Sequence, residues 1–352
     1  MPNILQVAKE AGVSTGAASD ILSGRFRYRY KQGTVDKVMA AAAHLGYQAN
    51  VAARILREQN KTLIGVAVPL NEFGRQSLAR LVSTIFDTLR KEGFSPLQIE
   101  SEQLVSNKFR VPFPSLDLLA GVISADARME DAVPDYYRVL QAKVPVVALY
   151  PTRAQEISCV TLNRHRVLEL AAEHLVGLGH KRIAVVATWT SDYFSDQLKV
   201  QGWPEIVERY GLDPNPAFRI ETPALLQETF ADAARDVATK VMKMRSRPTA
   251  VICMNGVIAM GVVRHLTSVG WKLPQDLSVI AYDYEAERYG SLFYPSLTCL
   301  YQPFEYIAEM AANHLVRLIR DAPEENLLAP LRMDVEPVLH VRESTAPPTR
   351  LK

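Results

Sequence analysis

Apolar positions near the start of the chain repeat at helical spacing in three short segments. Residues 4–11 carry apolar side chains three and four apart, and Gly12 follows them as a stop signal. Ser14 is a favourable N-cap for a second short helix. An alanine-rich stretch over about 34–45 predicts a third helix with Gly46 at its C-cap. Two short helices joined by a glycine-containing turn predict a helix-turn-helix, whose second helix can enter a DNA major groove.

From Thr62 onward the hydrophobic pattern changes to short apolar runs separated by amphipathic helical segments. Near-continuous runs of Val, Ile and Ala indicate strands of parallel sheets covered on both faces. The pattern therefore predicts an α/β body of two doubly wound subdomains, with one well-marked amphipathic helix over 78–90. The predicted strands cover residues 63–69, 119–124, 144–150, 183–187, 250–254 and 277–282.

Charge divides the chain at the same place. The first 61 residues contain nine Lys or Arg against four acidic residues, a formal charge of +5, whereas the remaining residues carry −3. A basic head on a slightly acidic body favours a polyanion as the partner of the head alone. A solvated charged surface explains the same imbalance equally well.

Localisation signals are also informative. The first residues form neither a basic n-region nor an apolar core, and no run of about 18 apolar residues follows. Cys159, Cys253 and Cys299 are far apart and set in apolar runs, which is typical of reduced, buried thiols. We therefore expect a cytoplasmic protein that does not bind membranes.

Several strings of residues carry a family resemblance. The head contains VAxxAGVS at 7–14, SxIL at 19–22 and LGYxxNxxARxL at 45–56. The body contains AxxHLxxLGHKRIA at 171–184 and LPxDLSVI at 273–280, with PTA at 248–250 and PxLTxxxQP at 295–303. Together these strings resemble the lactose-repressor (LacI) family of bacterial transcription regulators, over essentially the whole chain.

The resemblance implies a domain organisation. An N-terminal all-α helix-turn-helix head and a hinge helix would precede an α/β body of two doubly wound parallel-sheet subdomains, periplasmic-binding-protein-like, with a ligand cleft between them. The expected boundaries are residues 1–46 for the head, 47–61 for the hinge and linker, 62–160 with 291–322 for the N-subdomain, and 161–290 with 323–345 for the C-subdomain.

The second helix of the head would supply the base-reading side chains. Thr15, Gly16 and Asp20 stand at positions that read bases in the family, with Ser14 and Ser19 beside them. Gly16 has no side chain with which to read a base. Asp20 either accepts from a cytosine amine or, repelled by phosphate, only caps or solvates the helix.

The hinge would lie in the minor groove at the centre of the operator. Leu56 matches the apolar wedge that unstacks the central base step, with Asn50 and Ala53 completing the hinge pattern. Arg54 and Arg57 would contact phosphates or the groove wall. A buried linker residue is the alternative interpretation of Leu56.

Basic and aromatic residues alternate between the second and third helices. In an extended loop Arg25, Arg27, Arg29 and Lys31 would share one face, and Phe26, Tyr28 and Tyr30 the other. The basic face would clamp phosphates, unless the loop is simply solvated.

The cleft positions depart from the family's sugar-binding set. Lys199 stands where arginine is usual, and Asn255 and Asp283 retain part of the polar set. These side chains would bind a hydroxylated or anionic molecule. Alternatively, aromatic residues fill the cleft and no inducer binds. The aromatic residues that would otherwise stack on the ligand are Phe73, Tyr150 and Trp189.

The sequence thus predicts a sequence-specific regulator, most often a repressor in this family, that binds a pseudo-palindromic double-stranded DNA operator as a homodimer. A small-molecule effector, by family analogy a sugar or related metabolite, would modulate its affinity. Catalytic, cofactor and metal motifs are missing from the sequence, so we expect neither an enzyme nor a cofactor. A solute-binding protein of the periplasmic type is the alternative function, although it would require a signal peptide and no basic head.

Overall fold

The computed structural model forms two compact units, Met1–Lys61 and Thr62–Lys352, and we describe each unit separately. The residues that the structure describes are 2–23, 29–47, 61–69, 75–101, 116–133, 135–189, 194–222, 230–321 and 329–349.

Three helices make up the described part of the head: α1 (Ile4–Ala11), α2 (Thr15–Ser23) and α3 (Gln32–His44). Asn3 and Gln6 form a reciprocal capping box at the start of α1. Gly12 ends the helix with φ at 65°, a left-handed conformation that favours glycine. The predicted limits of α1 are confirmed, whereas α3 begins two residues earlier than predicted.

The head has a small core of its own. Val7 and Ala8 of α1 pack against Ile21 of α2 and Val38 of α3, all nearly inaccessible to solvent. His44 Nδ1 also lies 2.8 Å from Glu10 Oε1, linking the ends of α3 and α1. These contacts hold α2 against its neighbours and leave its other face in solvent.

The body alternates strands and helices along the chain. Its strands are β1 (Leu63–Val68), β2 (Ser95–Glu100), β3 (Leu119–Ser124), β4 (Val146–Ala148), β5 (Ser158–Leu162), β6 (Ile183–Ala187), β7 (Arg219–Glu221), β8 (Ala250–Cys253), β9 (Ser278–Tyr282), β10 (Thr298–Tyr301), β11 (Arg332–Val335) and β12 (Val338–His340). Its helices are α4 (Arg75–Lys91), α5 (Met129–Ala132), α6 (Tyr136–Gln141), α7 (Arg164–Gly177), α8 (Phe194–Val200), α9 (Trp203–Arg209), α10 (Phe230–Lys243), α11 (Gly256–Ser268), α12 (Tyr284–Tyr289) and α13 (Phe304–Arg320).

The strands form two six-stranded sheets. The N-subdomain sheet has the order β11-β5-β4-β3-β1-β2 and is parallel throughout. The C-subdomain sheet has the order β12-β10-β9-β8-β6-β7, with β12 antiparallel at its edge. Every residue of β3, β5, β6, β8 and β9 is buried, as expected for strands with helices on both faces. The predicted pair of doubly wound subdomains is confirmed.

The chain crosses between the two sheets three times, and this corrects part of the expected subdomain division. α7 leads from β5 into the C-subdomain, α13 returns from β10 to pack on α4 and β3, and β11 is followed directly by β12. Consequently β10 belongs to the C-subdomain sheet and β11 to the N-subdomain sheet, the reverse of the division at 291–322 and 323–345. Residues 161–162 likewise complete β5 rather than opening the C-subdomain. Backbone pairing decides membership here, and short strands do not show it in their hydrophobic pattern.

The three cysteines are free and buried, as predicted from their apolar neighbours. Across the described residues, no helix combines the length and apolarity needed to span a membrane.

Candidate functional sites

The outward face of α2 is the first candidate site. Ala18 and Ile21 face the core of the head, which leaves Thr15, Gly16 and Ser19 exposed on the opposite side. The backbone N–H of Ala17 donates to Ser14 Oγ over 3.1 Å, so Ser14 caps the helix as predicted. The exposed face therefore carries two hydroxyl groups and one position without a side chain.

Asp20 lies beside this face but has a partner within the head. The hydroxyl of Tyr30 donates to Asp20 Oδ2 over 2.8 Å, and this bond raises the pKa of Tyr30. Neither interpretation offered from sequence included this contact. Tyr30 also packs against the core of the head. Asp20 thus ties the end of the loop to α2.

Most of the other predicted DNA contacts fall outside the described residues. Arg29 is described and exposed, directly before Tyr30. The predicted residues that lie outside the described ranges are Arg25, Arg27, Asn50, Ala53, Arg54, Leu56 and Arg57. Phe73, predicted for the cleft, also lies outside them.

The second candidate site lies where the carboxyl ends of the two sheets come together. Burial raises the pKa of the Tyr282 hydroxyl at the end of β9, and the charge of Arg164, at the end of β5, opposes that rise. Asp283, Tyr150 and Asp196 also act on Tyr282. Side chains from both subdomains therefore share one electrostatic environment, as expected for a ligand cleft in this fold.

Asn255 and Asp283 meet at the start of α11. Asn255 caps the helix, accepting from the backbone N–H of Ile258 over 3.0 Å, and the N–H of Gly256 donates to Asp283 Oδ2 over 3.2 Å. A Cβ atom on Gly256 would lie 2.6 Å from Asp283 Oδ1. The two predicted polar residues therefore come together at the start of α11. The side-chain oxygens of both accept hydrogen bonds from backbone N–H groups in the first turn of this helix.

Lys199 and Trp189 each have a partner inside the C-subdomain. Lys199 Nζ donates to Asp196 Oδ1 over 2.6 Å within α8, so its charge is paired. The indole N–H of Trp189 donates to the carbonyl of Ile220 over 3.2 Å, and the Arg219 guanidinium lies 4.2 Å from its ring centroid. The ring of Trp189 is thus held by Arg219 and Ile220, both residues of β7.

Tyr150 is covered by a residue that the sequence analysis did not select. The guanidinium carbon of Arg164 lies 5.1 Å from the centroid of the Tyr150 ring, and Arg164 is only 4% exposed. Gln302, after β10, accepts from the Tyr282 hydroxyl over 3.2 Å and was likewise not selected. Their position in the sequence could have indicated both residues, because Arg164 and Gln302 each follow the carboxyl end of a strand, where ligands bind in this class of fold.

Comparisons with known proteins agree with this architecture. A model of the periplasmic binding protein-like domain matches residues 172–345. The chain is 24% identical to the HTH-type transcriptional repressor PurR of Haemophilus influenzae (strain PittEE), covering 98% of both chains. It is 26% identical to the lactose operon repressor of Escherichia coli (strain K12), covering 94% of this chain and 88% of the repressor. The crystal structure of the lac repressor dimer bound to operator and the anti-inducer ONPF matches with a TM-score of 0.75 at 22% identity, covering 98% and 99% of the two chains.

Over nearly its whole length the chain is therefore similar to transcription repressors of the LacI family. Members of the LacI family are not enzymes, which confirms the expectation drawn from the missing catalytic motifs. The match to repressors includes the basic head, so the alternative of a solute-binding protein without a regulatory role is not supported.

The family string around His180 serves the scaffold of the C-subdomain. The ring nitrogens of His180 lie 2.9 Å from Thr249 Oγ1 and 2.9 Å from the carbonyl oxygen of Ala346. Burial lowers the pKa of this imidazole, which favours its neutral form. His180 therefore fastens the chain after β12 to the body.

One cluster of metal-ligating side chains occurs within the described residues, formed by Glu287, Cys299 and His340. Arg342 donates to Glu287 Oε2 over 2.9 Å and to Cys299 Sγ over 3.2 Å. Burial raises the pKa of Cys299 to about 12, which keeps the thiol protonated. A cation already interacts with two of the three groups, so the cluster joins α12, β10 and β12 without fitting a metal ion.

Proposed function

We propose that this LacI-family regulator represses transcription by binding, as a homodimer, a pseudo-palindromic operator that α2 reads in the major groove. The observation that carries this proposal is the exposed face of α2, which presents Thr15 and Ser19 from a head with its own packed core. Two copies related by two-fold symmetry would present two such faces to two half-sites.

The basic loop and the hinge extend the proposed contact. Arg25, Arg27 and Arg29 would bind phosphates, and Arg54 and Arg57 would do so beside the minor groove. Leu56 would act as the apolar wedge at the centre of the operator, with Asn50 and Ala53 in the same hinge segment. Asp20 contributes indirectly in this proposal, because it holds Tyr30 and thereby the residues beside it.

A small molecule in the cleft would control operator affinity. It would contact side chains of both subdomains, which include Tyr150 and Arg164 on one side and Tyr282 and Asp283 on the other. A ligand that binds one arrangement of the subdomains more tightly than another shifts the equilibrium toward it. The two heads of a dimer would then match the half-site spacing to a different degree.

The test is selection of binding sites from a random duplex library by the full-length protein at near-physiological salt. We expect enrichment of a two-fold-related motif. Thr15→Ala should then weaken binding to the selected motif by about fivefold to tenfold, since one base-edge contact contributes about 1 kcal/mol. Binding to random duplex should change little, because it depends on phosphate contacts.

Ser268→Ala is the matched control, because Ser268 is also an exposed hydroxyl residue on a helix but belongs to the body. Both variants are titrated against the selected duplex and a scrambled duplex by fluorescence anisotropy. Retention of DNA without a motif would contradict sequence-specific regulation. An equal loss on both duplexes for Thr15→Ala would remove α2 from base reading.

A further inference from the structure

Arg164 is a buried cation at the boundary between the two subdomains. It is the first residue of α7, directly after the Asn163 cap, and only 4% of its surface is exposed. Its charge acts on Tyr150 of the N-subdomain and on Tyr282 of the C-subdomain. The guanidinium therefore lies in the cleft proposed to bind the effector.

Among the described residues, the guanidinium of Arg164 lacks the partners that buried arginines normally have. Its Nε atom is buried without a hydrogen-bond acceptor, and no described carboxylate forms an ion pair with it. Within the described residues, the guanidinium packs over the ring of Tyr150. A buried charge without an ion pair or hydrogen bonds is unfavourable, so such a group points to a ligand that supplies them.

The nearby carboxylates are already paired with other cations. Asp126 binds the guanidinium of Arg128 through both oxygens, at 3.1 Å each. Asp196 pairs with Lys199 at 2.6 Å. These acids act on the same tyrosine as Arg164, yet neither neutralises it by direct contact. The amino-terminal end of α7, a helix of 14 residues, adds its own positive potential at this point.

We propose that the effector of this protein carries an oxyanion, a carboxylate or a phosphate, and that Arg164 binds it. The planar guanidinium presents paired N–H donors that match two oxygens of either group. The ring of Tyr150 packs against one side of the guanidinium group. This inference rests on the proposed function in one respect, namely that the bound anion controls operator binding. Binding of the anion itself can be measured without DNA.

The first experiment measures the melting temperature of the full-length protein without DNA in sodium phosphate, in sodium acetate and in sodium chloride of equal ionic strength. Phosphate, acetate or both should raise the melting temperature of the wild type above its value in chloride. The anion that produces the larger rise identifies the phosphate or the carboxylate class. Titration calorimetry with that anion then gives its Kd.

Arg164→Gln should weaken anion binding by about tenfold or more, because charge-assisted hydrogen bonds are lost. Arg164→Lys should bind with intermediate affinity, since it keeps the charge but loses the fork. Arg235→Gln is the control, because Arg235 is an exposed arginine on α10. A rise that is absent in the wild type, or equal in the wild type and Arg164→Gln, would overturn the proposal.

A second measurement separates a binding residue from a structural one. In chloride alone, Arg164→Met should melt at the same temperature as the wild type or higher, because it removes an unpaired buried charge while filling a similar space. A fall of several degrees would show that Arg164 stabilises the fold through Tyr150, and would overturn the proposal. Failure of the wild type to select a DNA motif would instead contradict the proposed function and leave these anion results unchanged.

Discussion

At the scale of single residues, Gly256 shows how closely the cleft is built. The residue follows the Asn255 cap, and the backbone N–H of Gly256 binds Asp283. A Cβ atom at position 256 would lie 2.6 Å from Asp283 Oδ1 and 2.8 Å from the backbone nitrogen of Ala286. The absence of a side chain therefore lets α11 and α12 approach each other beside Asp283.

We expect Gly256→Ala to lower the free energy of unfolding by about 1–3 kcal/mol, the usual cost of crowding a packed site. Gly177→Ala is the matched control, because a Cβ at the end of α7 would meet open space. The control should be neutral or stabilising by up to about 1 kcal/mol, since alanine favours the helix. Urea unfolding followed by circular dichroism measures both, and an unaffected Gly256→Ala protein would mean that the backbone shifts without cost.

Some residues of the candidate sites could be predicted from sequence. Others could not, and the physical reason why the sequence does not show them differs from residue to residue. Asn255 and Asp283 follow buried strands, so their place at the cleft follows from the sheet. The bond between Asp20 and Tyr30 joins residues from a helix and a loop, and no periodicity shows it. Arg164 begins a helix, where a charged residue is usually solvated, so its burial appears only in the folded chain.

At the scale of elements, α7 is fastened to α9 by a network of charges. Arg166 donates to both oxygens of Glu173, at 2.9 and 2.8 Å, and the Tyr210 hydroxyl donates to Glu173 over 3.0 Å. Hydrogen bonds from Arg166 lower the pKa of Glu173, partly against the effect of burial. Because the folded pKa is lower than the unfolded one, the carboxylate stabilises the fold above the ordinary pKa of 4.5, and this contribution is lost as the pH falls through the folded value.

We therefore expect the free energy of unfolding to fall less steeply with acidification for Glu173→Gln than for the wild type, over about pH 5 to 3. The difference should reach at most about 1 kcal/mol, because the Glu173 side chain is 36% exposed and solvent screens the pair. Glu208→Gln on α9, an exposed glutamate, is the control and should follow the wild type. Urea unfolding at a series of pH values measures the slopes, and parallel curves for Glu173→Gln and the wild type would exclude this contribution.

Strands made of uninterrupted apolar residues were predicted well, whereas complete burial alone was not enough, since the buried strand β5 was missed. The predicted limits of β3 and β6 agree with the structure, because every side chain of these strands is apolar or small and buried. β2, β7, β11 and β12 were not predicted, since they lie at sheet edges and expose part of their residues. β5 and β10 were also not predicted, because each is a short strand that includes polar residues. A half-exposed strand of three or four residues is too short to show either alternating apolar and polar residues or a continuous apolar run, which are the patterns that predict a strand.

At the scale of the whole molecule, α4 is the element that best fits the proposed dimer. Leu81, Ile85 and Leu89 face the core, whereas Leu78, Val82 and Phe86 are only half-buried. The half-buried residues line a groove of about 580 Å³ beside the end of β1. A half-covered apolar helix face supports the proposal that a second copy packs here.

We expect Phe86→Glu to shift the protein from dimer to monomer and to weaken operator binding, because a charge would be buried against the second copy. Lys91→Glu, at the exposed end of the same helix, introduces the same side chain and should leave the dimer intact. Sedimentation velocity measures the mass, and circular dichroism checks that both variants are folded. A monomeric wild type, or a dimeric and folded Phe86→Glu protein, would contradict this assignment.

The three crossings between the sheets also bear on the order in which the molecule can form during synthesis. β11 completes the N-subdomain sheet and β12 the C-subdomain sheet, so both sheets wait for residues beyond 330. The helices of the head are contiguous within the first 47 residues and need nothing that follows them. Domains fold as units during translation, beginning with the N-terminal one. A nascent chain would therefore carry a folded head while its body is still incomplete, so any control that the body exerts on the head can begin only after β11 and β12 have been synthesised.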